Sequence, residues 1–324
     1  MSPRLSPTER WSQAMQQAGY ATATSPDTFP AARLMAPGGD RRKAEHAYRE
    51  LLDALPDNTA ALKGLAHLLS LQGRNDAAAP YRRRLWQLHV HALGVPDVAE
   101  AGAAEFLLAA ETGGTPPERA PAAYVEGLFD SYAATFDEHL LGQLHYAVPQ
   151  LLARRFIALG LPSDDRLDIL DIGCGSGLAG VQFERHARRL DGVDLSQNML
   201  DLARGRGIYD GLYKAELIEH LCQCDRRYDL VVAADVLAYF GDVQPLMDAV
   251  HKVVADDGHF LFTVEKSDEA DFRLSASGRY RHAARYLVRC ADVAGFACKV
   301  CDEAVLREQH GMPVSGYVVV LHQP

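Results

Sequence analysis

The run Leu170-Asp171-Ile172-Gly173-Cys174-Gly175-Ser176-Gly177 constrains the fold of this chain more than any other stretch. An apolar segment over residues 167–172 leads straight into three glycines at alternate positions, and a helical pattern follows. Glycines at such a point let the backbone turn sharply and approach a ligand closely, as at the first strand-to-helix turn of an open, doubly wound α/β sheet. Further strands are expected at residues 190–194, 228–233 and 259–264, with helical patterns between them. One of those helices begins near Pro245 and carries Leu246, Val250 and Val253 on one face; another holds Tyr286, Leu287 and Ala291 and closes at Gly295. This alternation predicts a mostly parallel sheet covered on both faces. Residues 296–306 and 317–321 are both strand-like around a turn at 308–313, which predicts a terminal antiparallel hairpin.

The region ahead of Gly113-Gly114-Thr115-Pro116-Pro117 follows a different rule. Gly39, Ala44 and Leu51 recur as Gly73, Ala78 and Leu85, each 34 residues later, the period of tetratricopeptide helix pairs. Leu62, Leu65, Ala66 and Leu69 form an apolar helical face, and residues 98–110 a further helix. Two domains are therefore expected, an all-α unit over residues 1–115 and an α/β unit over 116–324. Fewer than three repeats rarely bury enough surface to stand alone, so the helices serve either as a stabilising cap or as a docking surface for a protein or peptide partner.

Charge and composition exclude several classes. With 33 Lys+Arg against 43 Asp+Glu the net charge is -10, and all of it falls after residue 124, where 20 basic residues face 30 acidic ones. A nucleic-acid substrate needs a basic track, which argues against one here. No apolar run reaches the roughly 18 residues that span a bilayer, and the first thirty residues lack a signal-peptide core, so a cytoplasmic protein without membrane association is expected. Six scattered cysteines are too few for a disulfide framework. Cys222 and Cys224 with Cys298 and Cys301 could form a thiolate zinc site, but close packing in a strand explains the second pair equally well, and no metal is expected.

The glycine turn itself admits several nucleotides. Gly175-Ser176-Gly177-Leu178-Ala179-Gly180 matches the dinucleotide fingerprint GxGxxG, so a nicotinamide or flavin enzyme has to be weighed. Asp171, just ahead of the glycines, would be an unfavourable neighbour for a pyrophosphate and a favourable one for the ammonium and sulfonium of S-adenosylmethionine. Asp194, at the end of the second expected strand, can accept both hydroxyls of a ribose or serve as a helix cap; Ser196 is the better cap candidate.

From about Tyr124 to the end the chain resembles the class I S-adenosylmethionine-dependent methyltransferases, and more narrowly the bacterial predicted methyltransferases with N-terminal tetratricopeptide repeats. The resemblance rests on LFDSYAATFDEHL at 128–140, the Asp171 glycine motif, Gly192-Val193-Asp194-Leu195-Ser196, YDLVVAADV at 228–236, and Ser277-Gly278-Arg279-Tyr280 with His282. It implies a Rossmann-like, seven-stranded sheet with a C-terminal antiparallel hairpin. It also implies that Gly173, Cys174, Gly175 and Gly177 contact the methionine part of the cofactor and that Asp194 holds its ribose. Leu195 and Met199 would flank the adenine, Glu216 would accept from its amino group, and Ala234 and Asp235 would face the transferable methyl. Tyr132 and Phe136, four apart on one helical face, would cover the cofactor, with Tyr132 at its methionine end.

Methyl transfer from a sulfonium is an in-line displacement in which the protein mainly aligns the partners at about 3 Å and keeps water out; a base is needed only for a protonated acceptor. The tetrapeptide that amide and adenine methylases carry after the fourth strand is absent, since the chain reads Ala234-Asp235-Val236-Leu237. A small-molecule acceptor is expected, with a protein or peptide docked through the helical repeats as the alternative. Asp235, Tyr280 and His282 are the candidate catalytic residues, and His139, Tyr146, Tyr239 and Arg279 further candidates for the acceptor side.

Overall fold

The computed structural model describes residues 41–72 and 116–324, apart from 143, 161–165, 269, 276 and 310–311, together with scattered positions between 74 and 110. They fall into two compact units, divided between Leu108 and Ala109.

In the first unit, α1 (Arg41–Ala54) and α2 (Thr59–Leu71) form a helix pair. Ala44, Ala47, Tyr48 and Leu51 bury one face of α1, and the expected face of α2, Leu62, Leu65, Ala66 and Leu69, is buried as well. Asn58 starts α2 by accepting the Ala61 amide at 2.9 Å, which satisfies one of the open donors at the helix start. The Tyr48 ring lies where a Cβ on Gly64 would stand, so the small residue lets the two helices approach. Gly39, Gly73 and Leu85, on which the 34-residue period rests, lie outside the described residues.

In the second unit the order is α3 (Ala122–Tyr132), α4 (Phe136–Gly142), α5 (Val148–Ala158), β1 (Leu167–Ile172), α6 (Gly180–Phe183), β2 (Ala187–Asp194), α7 (Gln197–Arg206), β3 (Gly211–Lys214), α8 (Leu217–Gln223), β4 (Tyr228–Ala233), α9 (Gln244–Val253), β5 (Val254–Lys266), β6 (Phe272–Leu274), β7 (Tyr280–His282), α10 (Ala284–Ala294), β8 (Ala297–Gln309) and β9 (Met312–His322). Strands β3, β2, β1, β4 and β5 pair in parallel in that spatial order. β9 then joins β5 antiparallel and β8 closes the edge as the expected hairpin partner.

Alternation along the central strands divides the core in two. Leu170 and Ile172 face Leu246, Val250 and Leu287 of α9 and α10, whereas Ile169 and Leu230 face Leu152 and Phe156 of α5. Strands sandwiched this way carry apolar side chains on both faces, and β1 and β4 are apolar apart from Asp168 and Asp171 in the first and Asp229 in the second.

Two features depart from the sequence reading. β3 is only four residues long and largely unburied, too short to show a pattern. The segment around Tyr280, which is not among the expected strands, contains β7, which pairs with β6 and with the end of β5. Among the described residues the sheet therefore holds nine strands, seven in the expected order plus this small pair.

Candidate functional site

A cavity of about 670 Å³ opens at the carboxyl ends of β1, β2 and β4, where open α/β sheets place their ligands. Its floor is the glycine turn. Gly173 and Gly175 have φ of +63° and +54°, the left-handed region that a side chain rarely adopts. A Cβ on Gly173 would also stand 2.5 Å from Val236 Cγ2, while at Gly175 the nearest atom is Phe136 Cε1 at 4.0 Å. The first glycine is thus required by packing and conformation, and the second leaves open cavity above the backbone.

Asp194, at the end of β2, holds this turn. One carboxylate oxygen accepts the Gly175 amide at 2.9 Å and the other the Ser196 amide at 2.9 Å. Burial raises its pKa and the amide donors only partly counter that. Ser196 is the N-cap of α7, its hydroxyl accepting from the Met199 amide at 3.1 Å.

The roof is α3 and α4, separated by a 3-10 turn at Ala133–Thr135 that breaks the single helix expected there. Tyr132 and Phe136 share a face as the spacing predicts, with their rings edge to face at 5.1 Å. Two aspartates tie the roof down. Asp130 accepts from the Ser196 hydroxyl at 2.5 Å and the Asn198 amide at 3.3 Å, and its carbonyl receives the Asn198 side chain at 3.0 Å. Asp137 accepts from the Ser176 hydroxyl at 2.5 Å and pairs with Arg206.

Of the residues nominated from sequence, Tyr132, Phe136, Gly173, Gly175, Asp194, Leu195, Glu216, Ala234 and Asp235 line the cavity, as do His139, Tyr146, Tyr239 and Arg279. Glu216 is already engaged: one oxygen pairs with Arg119 at 3.0 Å and the other caps α8 through the Glu219 amide at 3.0 Å.

The others stand elsewhere. Cys174, Gly177 and Met199 are not part of the wall, Cys174 and Met199 being packed in the interior. Asp171 is buried, accepts the Tyr209 hydroxyl at 2.7 Å and leaves Oδ1 without a hydrogen-bond partner. Burial pushes its pKa up to about 7 despite that hydrogen bond, so it does not present a full negative charge to the cavity as the charge argument assumed.

Tyr280 and His282 need correction as catalytic candidates, because β7 turns both side chains inward. The Tyr280 hydroxyl donates to the Pro117 carbonyl at 2.5 Å. His282 Nε2 faces the Phe240 and Gly241 carbonyls at 2.8 and 3.2 Å, so that nitrogen carries the proton, and burial holds the ring's pKa down at about 4. Both rings are fully buried and neither lines the cavity.

Among the lining residues that sequence reasoning passed over are Phe129, Gln309 and Arg307. Phe129 lay inside a motif without an assigned role. Arg307 gave no signal, since a lone arginine late in an exposed-looking strand reads as surface charge. It reaches the cavity because the pairing of β8 with β9 shifts register between Val305 and Arg307. The shift buries Leu306 and Arg307 in succession where strict alternation would expose one of them. Among the described residues no group of three or more His, Cys, Asp or Glu side chains is arranged to hold a metal ion.

The family described as "Methyltransferase domain" matches residues 170–262. The ubiquinone biosynthesis O-methyltransferase of Salmonella paratyphi A is 26% identical over 155 residues, covering 44% of this chain and 62% of that protein. Its counterpart from Photorhabdus laumondii is also 26% identical over 155 residues, covering 44% and 63%. The chain thus spans a little under two thirds of the length of these relatives. Among solved structures, the magnesium protoporphyrin IX methyltransferase of Synechocystis PCC 6803 aligns with a TM-score of 0.49 at 14% identity, covering 63% of this chain and 99% of that one. The matched residues run from β1 through most of β5 and include the glycine turn and Asp194. Residues 170–262 are therefore similar to a methyltransferase domain, and the cavity lies at the carboxyl edge of the sheet that they help to build.

Proposed function

We propose that this chain is an S-adenosylmethionine-dependent methyltransferase whose acceptor is a small molecule. The observation that carries the reading is the junction of Gly175 with Asp194 on the cavity floor, a glycine backbone with open space above it beside a carboxylate at the end of β2. The residues fit the cofactor. Gly173 and Gly175 would take its methionine part, and Asp194 has lone pairs left for two ribose hydroxyls while holding both amides. Leu195 would flank the adenine, and Glu216 can accept from its amino group because each of its oxygens keeps a second lone pair. Tyr132 and Phe136 would close over the cofactor from the roof. When bound, the cofactor supplies an electrophilic methyl on a sulfonium that is already a leaving group.

What the chain itself does follows from the walls. The roof, fastened through Asp130 and Asp137, excludes water and holds the partners in line. Asp235, Tyr146, Tyr239 and Arg279 shape the side opposite the glycine turn, and Tyr132, whose hydroxyl meets His139 Nδ1, is the hydroxyl–imidazole pair on the wall that can relay a proton. A small acceptor is supported by the cavity volume, which holds a nucleoside-sized ligand with little room beyond a modest second molecule.

The reading assigns the chemistry to residues 116–324 and gives residues 1–115 the part of a tetratricopeptide-like domain, of which α1 and α2 would be one helix pair. Among the described residues no helix is long and apolar enough to cross a membrane, and the proposal places the enzyme in the cytoplasm. Calorimetry with S-adenosylhomocysteine and, separately, NAD tests the cofactor: heat with NAD and none with the adenosyl ligand refutes it. Incubating tritiated methyl donor with fractionated extract tests the acceptor. Label in small metabolites supports the proposal, and label confined to protein transfers it to a protein substrate docked on the helices.

A further inference from the structure

We propose that Arg307, together with Arg279, forms an anion subsite in the cavity wall that takes the carboxylate of an acidic acceptor with an apolar body. The inference rests on the methyltransferase reading and names the class of acceptor for that same cavity.

Three observations meet at this point. The first is the set of groups facing the cavity. Arg279, Arg307 and Asp235 all line it, whereas Glu265, which pairs with both arginines, is 2% exposed and is not among the lining residues. The members of the cluster that line the cavity are therefore two arginines and one aspartate.

The second is how far each arginine is satisfied. Arg279 donates from all three of its nitrogens: Nε to Glu265 Oε1 at 2.5 Å, Nη1 to the Tyr239 hydroxyl at 3.2 Å and Nη2 to Asp235 Oδ1 at 2.5 Å. Arg307 donates through Nη2 to Glu265 Oε1 at 2.5 Å, but its Nη1 is buried without a hydrogen-bond partner, 3.6 Å from Asp235 Oδ2. A buried charged donor without a hydrogen-bond partner, on a residue that lines the cavity, is a strong demand for an acceptor, and a carboxylate matches the fork of a guanidinium better than any neutral group. Arg307 is 6% exposed, so the chain has already removed it from bulk water.

The third is that the backbone is shaped to bring these side chains here. The register shift in β8 turns Arg307 inward, and Asp235, which fixes Arg279, sits at φ +65°, an uncommon conformation for a residue other than glycine. Irregularities of this kind collect where a side chain must be aimed. Around the cluster the wall is apolar and aromatic: Phe129 meets Tyr239 edge to face at 5.6 Å, and Leu128 and Leu144 stand on the same cavity. An acceptor held by its carboxylate would lay its apolar part against these groups.

The test uses the full chain and two pairs of probes, benzoate and cinnamate, each against its primary amide, titrated calorimetrically with and without saturating S-adenosylhomocysteine. The carboxylates are expected to bind at least tenfold more tightly than the amides. In Arg307→Gln that preference should fall below twofold while affinity for S-adenosylhomocysteine stays within twofold of wild type. Amides binding as well as carboxylates, or neither binding, overturns the subsite. A tenfold loss of S-adenosylhomocysteine affinity in Arg307→Gln also overturns it, because the pair would then hold the cofactor's own carboxylate. If Arg307→Gln does not fold, Arg307→Lys keeps a charge for Glu265 but loses the fork, and its carboxylate preference should drop at least threefold; an unchanged preference there counts against the proposal. Failure of S-adenosylhomocysteine to bind wild type sinks the methyltransferase reading alone, since the comparison of carboxylate with amide is also made without it.

Discussion

Replacing Asp194 by alanine separates the two things this carboxylate is asked to do. In the folded chain it accepts the amides of Gly175 and Ser196, each at 2.9 Å. Hydrogen bonds to a charged group contribute about 1.5 to 3 kcal/mol each, but the Gly175 amide stands at an open cavity where water can replace the acceptor, and burial already works against the ionised carboxyl. A stability loss of about 1 to 3 kcal/mol, less than the sum of two bonds, is therefore expected in urea unfolding. Loss of the ribose contact should add a separate effect on ligand affinity, about 1.5 to 3 kcal/mol, or roughly 10- to 150-fold in Kd for S-adenosylhomocysteine. The decisive measurement is a cycle with the 2′,3′-dideoxy analogue of that ligand. The analogue should lose as much affinity for wild type as the parent loses for Asp194→Ala, and the variant should no longer distinguish the two. A folded variant that still prefers the parent ligand tenfold would refute the assignment of Asp194 to the ribose.

Other expectations follow from neighbouring residues. Asp171 has its pKa raised from 3.8 to about 7 by burial, so the folded state holds this proton more tightly than the unfolded chain. Its contribution to stability is complete below about pH 4 and is lost as the pH rises through about 7. Asp171→Asn should therefore gain on wild type between pH 4 and pH 8, by on the order of 4 kcal/mol in urea unfolding; a constant difference across that range would show that the carboxyl titrates normally. Asp130→Ala removes the acceptor for the Ser196 hydroxyl and the Asn198 amide and should loosen α3. Faster hydrogen exchange over 122–132 and about a tenfold faster release of S-adenosylhomocysteine would follow, and unchanged exchange would rule out the clasp. Tyr280→Phe, which loses the hydrogen bond to the Pro117 carbonyl, should cost about 1 kcal/mol of stability and leave ligand affinity and turnover within twofold; a tenfold fall in turnover would return Tyr280 to the mechanism.

Much of the fold could be read from local pattern. β1 and β4 begin and end where they were expected, because a strand buried on both faces is mostly apolar, Asp168, Asp171 and Asp229 being the exceptions here. Pro245 opens α9 and Gly295 follows α10, since proline at a first turn and glycine after a last turn act through their own backbone geometry. β3 and β7 were not legible. Four- and three-residue strands owe their existence to the neighbours they pair with, and no periodicity develops over so few residues.

The same division runs through the site. The glycine turn, its placement after the first strand and the acidic residue at the end of the second are written in consecutive residues, because each answers a demand of the backbone within a few positions. Burial and orientation are not local quantities. Whether Asp171 faces the cavity or Tyr209, whether Tyr280 and His282 point at a ligand or at the carbonyls of Pro117, Phe240 and Gly241, and whether Glu216 is free or paired with Arg119 all depend on chain segments up to 163 residues away. Arg307 is the clearest case. Its type and position say surface charge, and only a register shift against β9, meeting Glu265 of β5 and Arg279 ahead of β7, turns it into a buried donor on the cavity wall.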